Sequence, residues 1–512
     1  MKKIVTCSQM KALDEHTIQN MGVPSLVLME RAALKVTEEI KKRLAGQERI
    51  LVACGSGNNG GDGIAVARLL FLSGVRTEIF LAGNPEKMTR ETALQWKIAG
   101  NYHVPVTNNP KWDEYTTIVD AVFGVGLSRN IEGKYADVIA GMNASPAKKV
   151  AVDIPSGVST DTGSVLGIAF RADLTVTFAY RKRGLCFYPG RMYAGETVVA
   201  DIGIYDREET EPGDTAHKEE TAFYMEPGDL ARLPRRVPYG NKGTFGKVLV
   251  VAGSKGMCGA AYLAAAAALR AGAGMVKIQT VEENRLPLQT LLPEAMVTCR
   301  FDFPENEKNL DWCDVLVVGP GLGIESDSRE RAQWFLAYGS RAGKPLILDA
   351  DGLNLLAAHP AWKEYLNENV VVTPHIGEMS RLCQAFAAGI QADPAAAAVR
   401  YAQETGAVCV LKDACTTIAD KEGRLFLNLS GNAGMATAGS GDVLSGILAA
   451  VFCMYLTQEE PVKPIEKAAL AVCLHGLCGD AAALRKGRRG MKAGDLIEAL
   501  PQVLMEAENK KH

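Results

Sequence analysis

Short apolar runs rich in Val and Ile recur along the chain at 50–53, 77–81, 117–119, 150–152 and 174–178. Between them lie longer segments, such as 64–72 and 90–99, whose apolar residues fall at helical spacing. Strands alternating with helices predict parallel sheets covered on both faces. The pattern breaks over 205–217, which is charged, poor in apolar residues and contains Pro212 and Gly213. That stretch reads as the tail of one domain and a linker. Alternation resumes at 247–252 and continues at 315–318, 346–348, 370–373, 408–411 and 416–419. The expectation is two α/β domains, at 1–215 and 225–512, joined by a linker at 216–224.

The first strand runs into Gly55, Ser56, Gly57, Asn58, Asn59, Gly60, Gly61, Asp62 and Gly63, and a helix is predicted from Ile64. Five glycines in nine residues let a backbone turn sharply and approach a ligand closely. The helix N-terminus behind them favours anions such as a pyrophosphate. Gly55, Gly57 and Gly60 fit the dinucleotide fingerprint GxGxxG, a weak signal alone. An ordinary Rossmann site also needs an acidic residue at the end of the second strand. Here that strand ends in Leu81, Ala82, Gly83 and Asn84, with no carboxylate. Asn58, Asn59 and Asp62 instead add polar groups that a plain nicotinamide site does not need. The alternative is a tight strand-to-helix turn without a ligand.

Two more loops leave strand ends in this half: DAVFGVGL from Asp120, and VDIPSG from Val152. The carboxyl ends of parallel strands form the ligand crevice, so the three loops can converge. Asn59, Asp120 and Ser156, with nearby carbonyls, could coordinate a hard monovalent or divalent cation. Each aspartate alone would more often be a loop cap, a reading that three polar loops at consecutive strand ends weaken. GSGNNGGDG, DAVFGVGL and VDIPSG together closely resemble the NAD(P)HX epimerase domain of bifunctional NAD(P)HX repair enzymes, NAD(P)HX being hydrated NAD(P)H. The resemblance covers nearly all of 1–215 and implies a Rossmann-like three-layer α/β fold. It implies that Asn58, Asn59, Gly60, Gly61 and Asp62 cradle the hydrated cofactor, with Gly124, Val125, Gly126, Leu127, Ser128, Arg129 and Asn130. It further implies K⁺ held by Asn59, Asp120 and Ser156, and Asp153 as the acid/base group beside the hydrated ring.

In the second half the strongest motif is GNAGMATAGSGD, from Gly431 to Asp442, ahead of an apolar helix. Backbone N–H groups of a Gly-Ser-Gly turn at a helix start form a cavity for a developing anion. Asp442 at its mouth can take a proton from a hydroxyl attacking a phosphate. The plainer reading is Asp442 as a helix cap, which does not require the glycines. No Walker sequence is present. GSKGMCGAA from Gly253, VGPGLG from Val318, DADGLN from Asp349, TPHIGE from Thr373 and LKD from Leu411 complete the set. Together they resemble the ADP-dependent NAD(P)HX dehydratase domain, which is ribokinase-like, over about 225–505. The resemblance implies nucleotide contacts from Lys412, Asp413, Ala414, Cys415, Thr416 and Gly441. Ala260, Gly323, His375 and Asp442 are implied to contact the hydrated cofactor. ADP (or ATP) as co-substrate and Mg²⁺ between its phosphates are also implied, with Glu378 a candidate ligand of the ion.

Composition changes this picture little. The 512 residues exceed the size at which one core stops growing, and 47% hydrophobic with 22% charged residues describes a soluble globular protein. A net charge of −3 gives no reason to expect nucleic acid or an anionic membrane. The basic cluster of Arg485, Lys486, Arg488 and Arg489 reads as a solvated turn, with phosphate contact as the alternative. Twelve cysteines without CxxC pairs read as reduced thiols in the cytoplasm. The N-terminus has no signal-peptide core, and the most apolar later stretch, 259–269, is too short to span a bilayer. The helical segment 8–45 could cover the sheet or a neighbouring subunit, and a homo-oligomer is expected. A small-molecule kinase and a non-catalytic nucleotide-binding module are the rival readings; the first leaves the Asn-Asn-Gly-Gly-Asp loop without a purpose.

Overall fold

The computed structural model describes residues 1–46, 48–206, 221–458 and 460–509. They form two compact units, Lys3–Lys218 and Met1–Lys2 with Glu219–His512. The predicted linker lies outside the described residues up to 220, as do 207–217 of the charged stretch. Its last part is not linker: Ala222–Tyr224 is a strand pairing in parallel with Leu425–Leu427.

In the first unit one sheet of seven strands has the order Val106–Thr107, Arg76–Leu81, Arg49–Cys54, Thr117–Ala121, Lys148–Val152, Leu174–Phe178, Glu196–Ala200, and the short strands Lys2–Val5 and Arg181–Lys182 form a further parallel pair. Every pairing in this sheet is parallel. The central strand shows why the run at 50–53 does not alternate: Ile50, Leu51, Val52 and Ala53 are all fully buried. Val36, Ile40, Ile64 and Val66 pack one face of the sheet, and Ile118, Ile139, Met142 and Phe170 the other. Both faces are thus covered, giving the expected three layers.

The segment 8–45 is two helices, Cys7–Gln19 and Ser25–Lys41, separated around Gly22 (φ +74°) and Pro24. Thr6 caps the first, with Gln9 returning the bond to the Thr6 N–H. The helix behind the glycine-asparagine loop begins at Asn58, six residues earlier than predicted, with Gly57 as its cap. A glycine-rich run can therefore be the first turn of a helix when its neighbours fix the backbone.

The second unit has ten strands, in the order Met296–Thr298, Met275–Gln279, Lys247–Val251, Val315–Val318, Leu346–Leu348, Val370–Val372, Val408–Leu411, Thr417–Ala419, Leu425–Leu427, Ala222–Tyr224. The first seven pair in parallel, and the next two extend the sheet antiparallel. Helices Cys258–Arg270 and Ser440–Met454 cross close together, because a Cβ on Gly446 would stand 2.1 Å from the Ala264 carbonyl oxygen. The alanines of 258–270 serve this approach. Two stretches are longer and more suited to span a membrane than 259–269 by length and composition, Ser440–Thr457 and Pro464–Lys486. They are 72% and 61% buried inside the protein, as core helices are.

Candidate active sites

The N-terminal unit holds a cavity of about 670 Å³ at the carboxyl ends of its central strands. Of the residues expected there, Asn58, Asn59, Asp62, Asp153 and Gly124 to Arg129 line it. Gly60 and Gly61 are buried behind the wall, and Asn130 is exposed and outside it. The glycines do a different job from the one their motif suggests. A Cβ on Gly55 would fall 2.1 Å from the Val122 oxygen, one on Gly60 2.0 Å from the Gly55 oxygen, and one on Gly63 2.3 Å from Ala121 Cβ. Their role is close packing of protein on protein. Only Gly57 of this loop faces open space, where the first helical turn leaves backbone N–H groups unpaired.

Asp153 has φ +65°, a conformation in which a non-glycine side chain stores strain. Its Oδ1 accepts from Lys182 Nζ, Thr177 Oγ1 (3.1 Å) and the Phe178 N–H (3.1 Å). Lys182 is fully buried and also donates to the Phe178 carbonyl at 2.8 Å. Asp62 shares the cavity and is pushed well above the carboxylate range, first by burial, then by the charges of Asp153 and Asp14, with Lys182 opposing. Asp14 and Lys182 escaped the sequence reading, because one sits in a polar N-terminal segment and the other in a basic run.

Asp120 and Ser156 lie under the wall rather than on it. Asp120 Oδ1 accepts from Ser156 Oγ at 2.6 Å and from the Val122 N–H at 3.1 Å; its Oδ2 accepts from the Ser156 N–H at 2.7 Å. Ser156 Oγ in turn accepts from the Phe123 N–H at 2.8 Å. Burial pushes Asp120 up to about 6, and the groups that offset this, Ser156 and Val122, are neutral. Asn59 packs against Gly124, where a Cβ would meet its side chain at 3.0 Å, and Asn59 Nδ2 is buried without a hydrogen-bond partner. A buried carboxylate without a cation, a hydroxyl and an amide next to a loop are donors that suit a hard cation of low charge.

In the second unit the helix Ser440–Met454 starts after Gly439, whose φ of +90° is left-handed. Gly441 and Asp442 occupy its first turn, and a Cβ on Gly441 would lie 3.3 Å from Lys412 Nζ. Lys412 Nζ donates to Asp349 Oδ1 at 2.8 Å, and Ser445 Oγ to Asp349 Oδ2 at 2.7 Å. Burial would raise Asp349, but the Lys412 charge and these bonds win and hold it below its ordinary value. Among the described residues Asp442 has no such partner. Burial and then the Asp349 charge push it up to about 7, against the pull of Lys412. A carboxyl poised there can give or take a proton near neutral pH.

The other predicted residues gather round this helix start unevenly. The Lys412 N–H bonds the Pro374 carbonyl at 2.7 Å, which brings His375 alongside. His375 itself caps the helix Ile376–Cys383: its Nδ1 accepts from the N–H groups of Gly377 and Glu378, and Glu378 Oε2 accepts from the His375 N–H. Glu378 thus spends one carboxylate oxygen on the cap. Gly323 (φ +82°) donates its N–H to Asp351 Oδ2 at 2.9 Å, and Ala260 packs on the Gly321 turn. Asp413 and Ala414 are exposed, and Cys415 is buried. Thr280 and Asn284, unforeseen, pin the Gly253–Ser254 loop through its carbonyls. Among the described residues no group of three His, Cys, Asp or Glu side chains could hold a metal.

Residues 25–184 match the family described as YjeF-related protein N-terminus, and 248–502 match that described as NAD(P)H-hydrate dehydratase. The chain is 39% identical to the bifunctional NAD(P)H-hydrate repair enzyme Nnr of Moorella thermoacetica, over 99% of this chain and 97% of that one. It is 35% identical to that of Escherichia coli, over 96% and 92%. A solved ADP/ATP-dependent NAD(P)H-hydrate dehydratase from Bacillus subtilis, co-crystallised with ATP/Mg²⁺, is 29% identical over 56% of this chain and 98% of that one, with a TM-score of 0.47. The chain belongs to the family of bifunctional NAD(P)H-hydrate repair enzymes.

Proposed function

We propose that the chain repairs hydrated nicotinamide cofactors, an N-terminal domain at 1–215 interconverting R- and S-NAD(P)HX and a C-terminal domain at 225–512 dehydrating the S form with a nucleotide. One observation supports the assignment of both halves: each unit sets a lysine–aspartate pair at the carboxyl ends of its parallel strands, with the candidate acid/base aspartate in the pair in the first unit (Asp153) and next to it in the second (Asp442). In the first unit Asp153 exchanges the proton, with Lys182 compensating its charge. The helix start at Asn58 and the loop Gly124 to Asn130 hold the dinucleotide. Asn59, Asp120 and Ser156 would hold K⁺, whose charge would offset buried Asp120 and fix the loop.

In the second unit Lys412 to Thr416 and Gly441 take the nucleotide, ADP or ATP, and Ala260, Gly323 and His375 take the hydrated cofactor. Asp442 accepts the ring hydroxyl proton as that oxygen attacks the terminal phosphorus. The helix-start N–H groups stabilise the charge that develops. With ADP, AMP leaves. Phosphate then leaves the ring carbon, the ring nitrogen lone pair supplying electrons, and loss of the neighbouring C–H proton restores NADH or NADPH. Mg²⁺, an ion usually bound through one or two carboxylates plus substrate phosphates, would neutralise charge on the nucleotide phosphates. A homo-oligomer in the cytoplasm remains part of this reading.

The test is a single assay. NADHX is added to the full chain with Mg²⁺ and ADP or ATP, and the return of NADH absorbance is followed. Wild type should consume both epimers, and Asp153→Asn only the S form. Phosphoryl transfer to an alcohol with no return of NADH would overturn the reading.

A further inference from the structure

We propose that Asp14 is the second proton-carrying group of the epimerase cavity, working with Asp153; the inference rests on the epimerase reading above. Met10, Lys11, Asp14 and Ile18 all line the cavity from the helix Cys7–Gln19, and their spacing is that of one helix face. The helix is fixed at both ends. The Cys7 N–H bonds Asp161 Oδ1 at 2.7 Å and its thiol bonds the Val125 carbonyl at 2.9 Å, on the loop that walls the cavity. At the other end fully buried Thr17 accepts from the Tyr205 N–H at 3.0 Å. Asp14 sits between these anchors. It caps nothing, and among the described residues nothing hydrogen-bonds or ion-pairs with it.

Four titratable groups face one another here from four elements: Asp14, Asp62 on the helix Asn58–Leu72, Asp153 after the strand Lys148–Val152, and Lys182. Lys11, Glu91 and Arg129 lie further round the wall. Lys182 is spent on Asp153 and the Phe178 carbonyl. Asp14 is therefore left among carboxylates without a cation of its own. Burial, then the Asp153 charge, lifts it to about 6, with Lys182 opposing.

The substrate carbon that inverts carries a hydroxyl and the ring nitrogen, which makes it a hemiaminal. Opening it needs a base and an acid together. Asp153 takes the O–H proton, the C–N bond breaks with its electron pair going to nitrogen, and protonated Asp14 gives that nitrogen a proton as the C=O forms. Rotation about the adjacent C–C bond presents the other face. Nitrogen re-adds, returns its proton to Asp14, and the oxygen recovers the proton held by Asp153. No co-reactant is consumed.

The experiment follows purified R-NADHX turning into S-NADHX on the full chain, without nucleotide, from pH 5 to 8. Wild type should lose activity above an apparent pKa near 6 as Asp14 gives up its proton. Asp14→Asn should be slower by about 100-fold and lack that limb. Asp14→Glu should recover part of the rate and the limb, while near-UV circular dichroism of both variants matches wild type. Asp14→Asn within about twofold of wild type, a slow Asp14→Asn that keeps the limb, or an Asp14→Glu as slow and flat as Asn would each overturn the proposal. Failure of wild type to epimerise would instead overturn the reading beneath it.

Discussion

Both units bury a lysine against an aspartate at a strand end, but they put the candidate catalytic carboxylate on opposite sides of that pair. In the N-terminal cavity Asp153 is itself the partner of Lys182, and the carboxyls left over, Asp14 and Asp62, are lifted by burial. In the C-terminal site Lys412 belongs to Asp349, and Asp442, at the start of the helix Ser440–Met454, has no ion-pair partner among the described residues and is lifted to about 7. The lesson is that a paired aspartate and a desolvated one are different reagents. On the proposed reading, several carboxyls round one cavity suit an interconversion without net change, and one unpaired carboxyl at a helix start suits a one-way phosphoryl transfer.

The comparison breaks most decisively at Asp442. Replacement by Asn should lower dehydration kcat by about 1,000-fold, with R-to-S conversion untouched. In wild type the sign of the pH dependence follows from the raised value. Above about 7 Asp442 would be ionised and able to accept the hydroxyl proton; below it the group would be protonated and unable to. Dehydration kcat/KM should therefore fall about tenfold per pH unit below 7. A flat profile from 5.5 to 8 would remove Asp442 from the base role.

Next come the lysines. Lys182→Met leaves Asp153 without its counter-charge in a closed pocket, and should cost the N-terminal unit about 3 to 5 kcal/mol, read by denaturant unfolding. It should also drive Asp14 further up, since Lys182 is what holds it down. Lys412→Met removes the cation that lowers Asp442. The acid limb of dehydration should then move above pH 7, a shift that mere loss of nucleotide affinity does not produce.

These contrasts explain what the sequence could convey. Fully buried parallel strands such as Arg49–Cys54 read as unbroken apolar runs, so both sheets were legible. Asp153 and Asp442 were legible because each lies in a short motif at a strand or helix end. Lys182 was not. It lies in the run Arg181, Lys182, Arg183, which looks like surface, and becomes buried when that strand pairs with Lys2–Val5. Asp14 was hidden for a similar reason, since one face of its polar helix lines a cavity whose other walls include loops more than forty residues away. His375 shows the converse: its motif was visible, but its hydrogen bonds as a helix cap were not.

The smallest effect separates glycines that pack from glycines that face a ligand, a distinction the motif at 55–63 conceals. Gly60→Ala drives a Cβ to 2.0 Å from the Gly55 oxygen, and both atoms belong to backbone that cannot swing aside. It should destabilise the N-terminal unit by about 1 to 3 kcal/mol, as overpacking does. Gly57→Ala meets nothing within 4 Å, and its φ of −86° suits any residue. Its effect on unfolding should stay within about 0.5 kcal/mol, typical of an exposed position. Because the open space beside Gly57 is where the dinucleotide would approach the helix start, the added methyl should raise KM for R-NADHX with little change in kcat, the signature of lost uniform binding. If Gly57→Ala instead destabilises the unit as much as Gly60→Ala and leaves KM alone, then all the loop glycines serve packing, and the cofactor lies elsewhere in the cavity.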